Sequence, residues 1–230
     1  MTVIEIGVSQ ATGDRLSVLS RLLACLRSEG GRRRADVLEV GSYEGQSAMY
    51  FSNSISDMFP DGGLVTCIDP WQPYHSPEQI ASGLVYENMD ADLRSGAAFE
   101  RFKKNIQKAN PRVPIEHFRG TLTQAMMLML TGRRFDVVYL DGDHRYSSVR
   151  EDIANAKRLV RVGGLLCGDD LEIQIDAAGV ERARELAEVD YQDEHHPGVS
   201  LAMYEAFGRV WCENSVWAMK RTLNGWSAEL

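Results

Sequence analysis

Two short stretches of this chain concentrate groups able to do chemistry. Asp141-Gly142-Asp143-His144 follows the apolar run Val137-Val138-Tyr139-Leu140, and Asp169-Asp170 follows Leu165-Leu166-Cys167-Gly168. If the two runs are neighbouring strands, their ends lie about 5 Å apart and Asp141, Asp169 and Asp170 converge. Three ionised carboxylates do not share such a space unless a positive group neutralises them. A hard divalent cation such as Mg²⁺ meets that need and keeps coordination positions for water or a substrate oxygen. Solvated loop acids or helix caps are the plainer reading, and it is the one preferred for Asp143 and Asp152. His144, three residues beyond Asp141, stands where a general base would act, a role worth ~10²–10⁴ in rate. His195 and His196, before Pro197-Gly198, read as a loop entering a helix, although either remains an alternative base.

A second constellation lies upstream. Val37-Leu38-Glu39-Val40-Gly41-Ser42-Tyr43-Glu44-Gly45-Gln46-Ser47 reads as a strand, a glycine turn and the start of a helix. Gly41 permits a tight turn and close approach of a ligand, and the unpaired N–H groups near Ser47 suit a carboxylate. The next apolar run ends in Asp69, where an acid can hold the two hydroxyls of an adenosine ribose. A nicotinamide enzyme would show G-x-G-x-x-G at this turn, and the chain does not.

The elements that must position these residues follow from periodicity. Apolar runs at 37–40, 64–68, 137–140 and 165–167, with a further strand-like piece at 115–118, alternate with amphipathic stretches at 14–27, 98–109, 124–130 and 147–159. Runs apolar on both faces belong in a parallel sheet covered by helices. The expected fold is α/β: a doubly wound, mostly parallel, seven-stranded Rossmann-like sheet in a single domain spanning 1–230. A helix at 199–207 and strands at 209–212 and 216–220 predict a C-terminal antiparallel hairpin at the sheet edge. Residues 1–35 form an N-terminal helical extension. The stripe Leu16, Leu19, Leu22, Leu23 and Leu26 within it serves either as core or as the face of a homo-oligomer. The polar segments 70–96 and 171–197 leave strand ends and are expected to form lids or substrate loops, with Trp71, Tyr74 and Tyr86 as candidate walls. Met126, Met127 and Met129 read as core filler.

Composition narrows the partners. The 33 acidic and 25 basic residues among 230 leave a net charge of −8, which disfavours nucleic acid and anionic membrane surfaces. The tight basic run Arg32-Arg33-Arg34 reads as a solvated turn. No long apolar run suggests a leader or a membrane span, and four separated cysteines suggest a reduced, cytoplasmic setting.

Taken together, Glu39-Val40-Gly41-Ser42-Tyr43-Glu44-Gly45, Ile68-Asp69-Pro70-Trp71, Leu140-Asp141-Gly142-Asp143-His144 and Gly163-Gly164 through Asp169-Asp170 resemble a known group. The chain looks like a class I S-adenosylmethionine-dependent methyltransferase of the metal-dependent O-methyltransferase branch. That branch includes macrocin-type, cephalosporin-hydroxylase-like and catechol-type proteins. The resemblance implies that Glu39, Gly41 and Tyr43 contact the methionine moiety, Asp69 the ribose, and Gly120 and Thr121 the adenine. Ser42, Ser47, Trp71 and Asp141 complete the candidate cofactor set. It further implies a divalent metal on Asp141, Asp169 and Asp170, His144 as base, and a small hydroxylated molecule as methyl acceptor. A lysine takes the base position in the catechol branch, and Arg145 is a poor substitute because it stays protonated. Three rivals stand beside this reading. They are a metal-independent methyltransferase acting on nitrogen or carbon, an oxidoreductase, and a non-catalytic S-adenosylmethionine-binding protein.

Overall fold

The structure, a computed structural model, describes residues 13–192 and 194–230, and the side chain of the candidate wall Tyr86 lies outside the described set. The described residues form one sheet from β1 (Ala35–Val40), β2 (Gly63–Asp69), β3 (Ile115–Arg119), β4 (Phe135–Leu140), β5 (Val160–Gly168), β6 (Trp211–Glu213), β7 (Val216–Thr222) and β8 (Gly225–Ser227). Its order is β3-β2-β1-β4-β5-β7-β6, with β8 paired to β7. Strands β1 to β5 run parallel, whereas β7 lies antiparallel between β5 and β6. The sheet thus has eight strands rather than the expected seven. The eighth is a three-residue strand entered through Asn224-Gly225, a dipeptide favouring hairpin turns.

The helices are α1 (Gly13–Gly30), α2 (Gln46–Met58), α3 (Pro77–Ser82), α4 (Leu84–Ser95), α5 (Ala97–Ile106), α6 (Leu122–Leu128), α7 (Tyr146–Leu159), α8 (Val180–Glu185) and α9 (Pro197–Phe207). Alternation along the strands divides the core into two. Val37, Val65, Cys67, Val137 and Tyr139 face α1, α2 and α5, while Leu38, Val40, Ile68, Val138 and Leu140 face α6, α7 and α9. The α1 stripe belongs to the first of these cores: Leu19, Leu22, Leu23 and Leu26 are buried against the chain's own sheet. It is therefore core, not a free oligomer face. Met127 corrects a second expectation. Leu122 and Ala125 of the short α6 are buried and Met126 and Met129 pack against the second core as expected, but Met127 faces outward, 76% exposed.

The segments 70–96 and 171–197 are not plain loops. The first folds into α3 and α4, and the second contains α8. The Arg32-Arg33-Arg34 run is likewise not merely solvated, because each arginine meets a carboxylate, on Asp136, Asp61 and Asp36 respectively. Asp136 is buried and also accepts Arg161 Nη1 at 2.5 Å and the Asp36 amide at 2.8 Å. This network ties the amino ends of β1, β4 and β5. The opposite, carboxyl ends are left to form the site.

Candidate active site

A cleft of ≈ 550 Å³ opens at the carboxyl ends of β1, β2, β4 and β5, within the usual range for a small-molecule site. Its floor is the turn after β1. Gly41 has φ +88°, and a Cβ built there would lie 1.8 Å from the Asp141 carbonyl oxygen. The ends of β1 and β4 are that close because the Asp141 amide donates to Val40 O at 2.8 Å, while the Gly41 amide donates to Ile68 O of β2 at 2.9 Å. The turn continues through Tyr43 at φ 42° into α2, whose first-turn N–H groups open beside it.

Asp69 closes the end of β2. Its Oδ2 accepts the Tyr43 amide at 2.8 Å and its Oδ1 the Trp71 amide at 2.5 Å, so one carboxylate fixes both loops. Burial pushes the Asp69 carboxyl up from its ordinary value, and these amides draw it partly back. The Ser42 amide also bonds this carboxylate, which leaves one of its lone pairs for a ligand hydroxyl. Gly120 and Thr121 form the adjoining wall, where Thr121 caps α6 through a reciprocal box with Gln124.

Gly41, Tyr43, Asp69, Gly120, Thr121 and Asp141 therefore line the cleft, whereas Glu39, Ser42, Ser47 and Trp71 lie behind its wall. Trp71 is placed differently from its expected contact with a cofactor. Its backbone turns at φ 45°, which packs the indole between Phe99 and Phe102, and its Nε1 donates to Tyr43 O at 2.6 Å. It supports the turn from below. Glu39 is fully buried, and burial raises its carboxyl. Cys67 Sγ lies 3.4 Å from Glu39 Oε2, while Glu39 Oε1 and Ser42 Oγ have no hydrogen-bond partner. Of the other candidate walls, Tyr74 lines the cleft.

The acidic half of the cleft lies beside this floor. Asp141, Asp169 and Asp170 do come together, with Tyr139 Oη 3.4 Å from both Asp141 Oδ2 and Asp169 Oδ2. Arg15 of α1 enters the same space, placing Nη1 2.8 Å from Asp169 and Nη2 3.5 Å from Asp170. His144 fills the remaining side, with Nε2 3.0 Å from Asp170 Oδ2 and Nδ1 3.0 Å from Asp190 Oδ1. Charge follows geometry. Burial and the charges of Asp169 and Asp170 push Asp141 well up, and burial beside Asp170 raises Asp169 to about 6. For Asp170 burial acts upward but is outweighed by His144, His196 and Arg15, which hold it below the ordinary value. Burial acts downward on His144 and is likewise outweighed, by Asp170 and Asp190, so its imidazole is well above the usual value.

The donor sets able to grip a cation differ from the expected triad. Among the described residues, Asp141, His144 and Asp170 offer ligand atoms within 4.8 Å of one another. So do two other groups, His144, Asp190 and His196, and Asp170, Glu172 and His196. Asp169 is in none of them, its carboxylate being turned to Arg15. Asp143 behaves as a helix-entry residue, accepting the Arg145 amide at 3.1 Å and Ser148 Oγ at 2.9 Å. Asp152 does not. It lies within α7 and lines the cleft, where burial raises its carboxyl to about 7.

Sequence reasoning passed over Arg15, His75 and Asp190, which line the cleft, and gave His196 little weight. The His196 ring lies 4.3 Å from that of His144, and its Nδ1 3.2 Å from Glu172, while His195 pairs its backbone with Gln192. Arg145 anchors the 70–96 segment through a 2.7 Å bond to Tyr74 O.

With this geometry in hand, comparison with known proteins is informative. A family model described as a methyltransferase domain matches residues 38–171, more than half of the chain. No curated protein matches the chain by sequence. Among solved structures, the chain is similar to the O-methyltransferase NovP, with TM-score 0.56 and 17% identity over 90% of this chain and 79% of that one. It is also similar to CalS11, a calicheamicin methyltransferase, with TM-score 0.53 and 11% identity over 89% and 77% of the two chains. At these identities the likeness is one of fold.

Proposed function

The chain belongs to the methyltransferase-domain family, and from that premise we propose that it transfers a methyl group from S-adenosylmethionine to a hydroxyl of a small molecule, assisted by a divalent cation. One observation carries the reading: a nucleoside-type half and an acidic, histidine-bearing half share a single cleft. The residues fit both groups. Asp69 keeps a lone pair for a ribose hydroxyl, and the buried Glu39 carboxylate beneath the turn would offer negative charge to an ammonium group above it. Gly41 and Tyr43 would line the methionine end, with Gly120 and Thr121 on the adenine side. Asp141 and Asp170 would hold the cation, Mg²⁺ in the first instance, and Asp169 would join them once Arg15 released it.

When bound, S-adenosylmethionine supplies a methyl carbon whose bond to cationic sulfur breaks as the hydroxyl oxygen attacks, the electron pair leaving with sulfur. The cation supplies the charge that lets an oxygen nucleophile lie among carboxylates. The chain's residues do the rest. Gly41 and Asp69 would set the donor's direction and the acidic half beside the turn would receive the acceptor, which would bring the two reacting atoms into one cleft. Tyr74 closes one wall. His144 Nε2, which donates to Asp170 at 3.0 Å as the site stands, would be freed to take the hydroxyl proton once a cation engaged Asp170.

The experiment uses S-adenosylmethionine labelled in its methyl group and a panel of small hydroxylated acceptors. Label is expected in an ether product, to disappear after exhaustive EDTA treatment and to return with Mg²⁺ or Mn²⁺. Undiminished transfer after chelation would replace this reading with the metal-independent one. The Arg15–Asp169 pair favours that alternative, since a guanidinium already neutralises part of the cluster.

A further inference from the structure

We propose that Asp190 is the positioning residue of this site, holding His144 by Nδ1 so that Nε2 is the ring atom presented to the cleft. The proposal rests on the hydroxyl-directed methyl transfer inferred above and adds to it a task for the 171–197 segment. Asp190 sits between α8 and α9, and its side chain is 4% exposed. An ionised carboxylate only accepts hydrogen bonds, so Asp190 at 3.0 Å from Nδ1 keeps a hydrogen on that atom whatever happens at Nε2, which faces Asp170 at 3.0 Å, and the two contacts fix the ring plane.

The surrounding chain is built to deliver this contact. Ala187 O accepts the Tyr146 amide at 2.8 Å. The Glu188 carboxylate accepts both the Ser147 amide at 3.1 Å and Ser147 Oγ at 2.8 Å. Gln192 and His195 exchange backbone hydrogen bonds of 3.0 and 3.1 Å, closing the turn beyond Asp190. On the far side, α9 presses so near that a Cβ on Gly198 would lie 2.4 Å from both His144 O and the Tyr146 amide nitrogen. The chain leaving His144 is thus held at Tyr146 and Ser147 by the segment that supplies Asp190, and α9 packs against the His144 carbonyl. A residue clamped this way keeps one ring orientation, which is what proton transfer to a single atom requires.

The test uses the whole chain with bound S-adenosylhomocysteine, labelled with ¹⁵N in its histidine rings. Wild type is expected to show a slowly exchanging Nδ1–H assigned to His144 by its loss in His144→Gln, distinct from that of His196 against Glu172. Asp190→Asn should lose that signal and lower labelled methyl transfer about 10²-fold, with S-adenosylhomocysteine affinity within about twofold of wild type. Asp190→Glu should restore the signal in part. A signal that survives in Asp190→Asn, or transfer unchanged after its loss, would overturn the assignment. So would loss of cofactor affinity and melting temperature in step with the signal, since Asp190 would then be scaffold. No transfer by wild type to any acceptor, with S-adenosylhomocysteine bound, would overturn the reaction together with the assignment, whereas a surviving signal overturns the assignment alone.

Discussion

Gly41→Ala is expected to abolish S-adenosylhomocysteine binding and to destabilise the fold by more than about 4 kcal/mol, beyond the ordinary range for a point mutation. The reason is geometric. The added Cβ would stand 1.8 Å from Asp141 O, 2.4 Å from the Asp141 carbonyl carbon and 2.7 Å from the Gly142 nitrogen. All three are backbone atoms, so no side chain can rotate away. The positive φ of 88° adds the left-handed cost of about 1–2 kcal/mol. Relief requires β1 and β4 to part at their carboxyl ends, which moves Asp141 and the turn that Asp69 holds. Gly31 is the control: it too has positive φ, 56°, but has nothing within 4 Å. Its alanine variant should carry only the conformational cost and bind normally. Denaturant unfolding and calorimetric titration of the two variants make the comparison, and a Gly41→Ala protein with normal affinity would contradict this picture of the turn.

The second large effect is expected on cation binding. Asp170 is where the positive groups meet, 3.5 Å from Arg15, 3.0 Å from His144 and 3.9 Å from His196. It sits at φ 64°, a left-handed conformation that asparagine tolerates. Asp170→Asn therefore removes the charge while sparing the backbone. Mn²⁺ affinity, read by calorimetry, should fall at least about 10²-fold, as expected when a ligand rather than its supporting shell is lost. Affinity for S-adenosylhomocysteine should change little, because the nucleoside half depends on Asp69 and the turn after β1. Retained Mn²⁺ affinity would move the cation away from this cluster.

The parts of the fold that were legible are those set by local pattern. The alternation of Val37 with Leu38 and of Tyr139 with Leu140 separates the two cores, and the strand ends carrying Gly41, Asp69, Asp141 and Asp169 follow from it. Convergence of the acids was legible because parallel neighbours place their ends together. The partners of those acids were not. Arg15 is 155 residues from Asp170 and Asp190 is 46 from His144, and no local periodicity links such distant positions. Helices α3 and α8, six residues each, are too short to show an amphipathic repeat, and they hide in segments read as loops. Trp71 misled for a different reason. Adjacency to Asp69 suggested a ligand contact, but the left-handed turn at residue 71 points the indole into the core.

The central claim is that this cleft is built for S-adenosylmethionine. Calorimetric titration of the wild-type chain with S-adenosylhomocysteine tests it most directly, since neither an acceptor nor turnover is needed. Saturable binding of one equivalent is expected, with no response to a nicotinamide dinucleotide. No binding of S-adenosylhomocysteine by the folded protein, or equal binding of the dinucleotide, would contradict it.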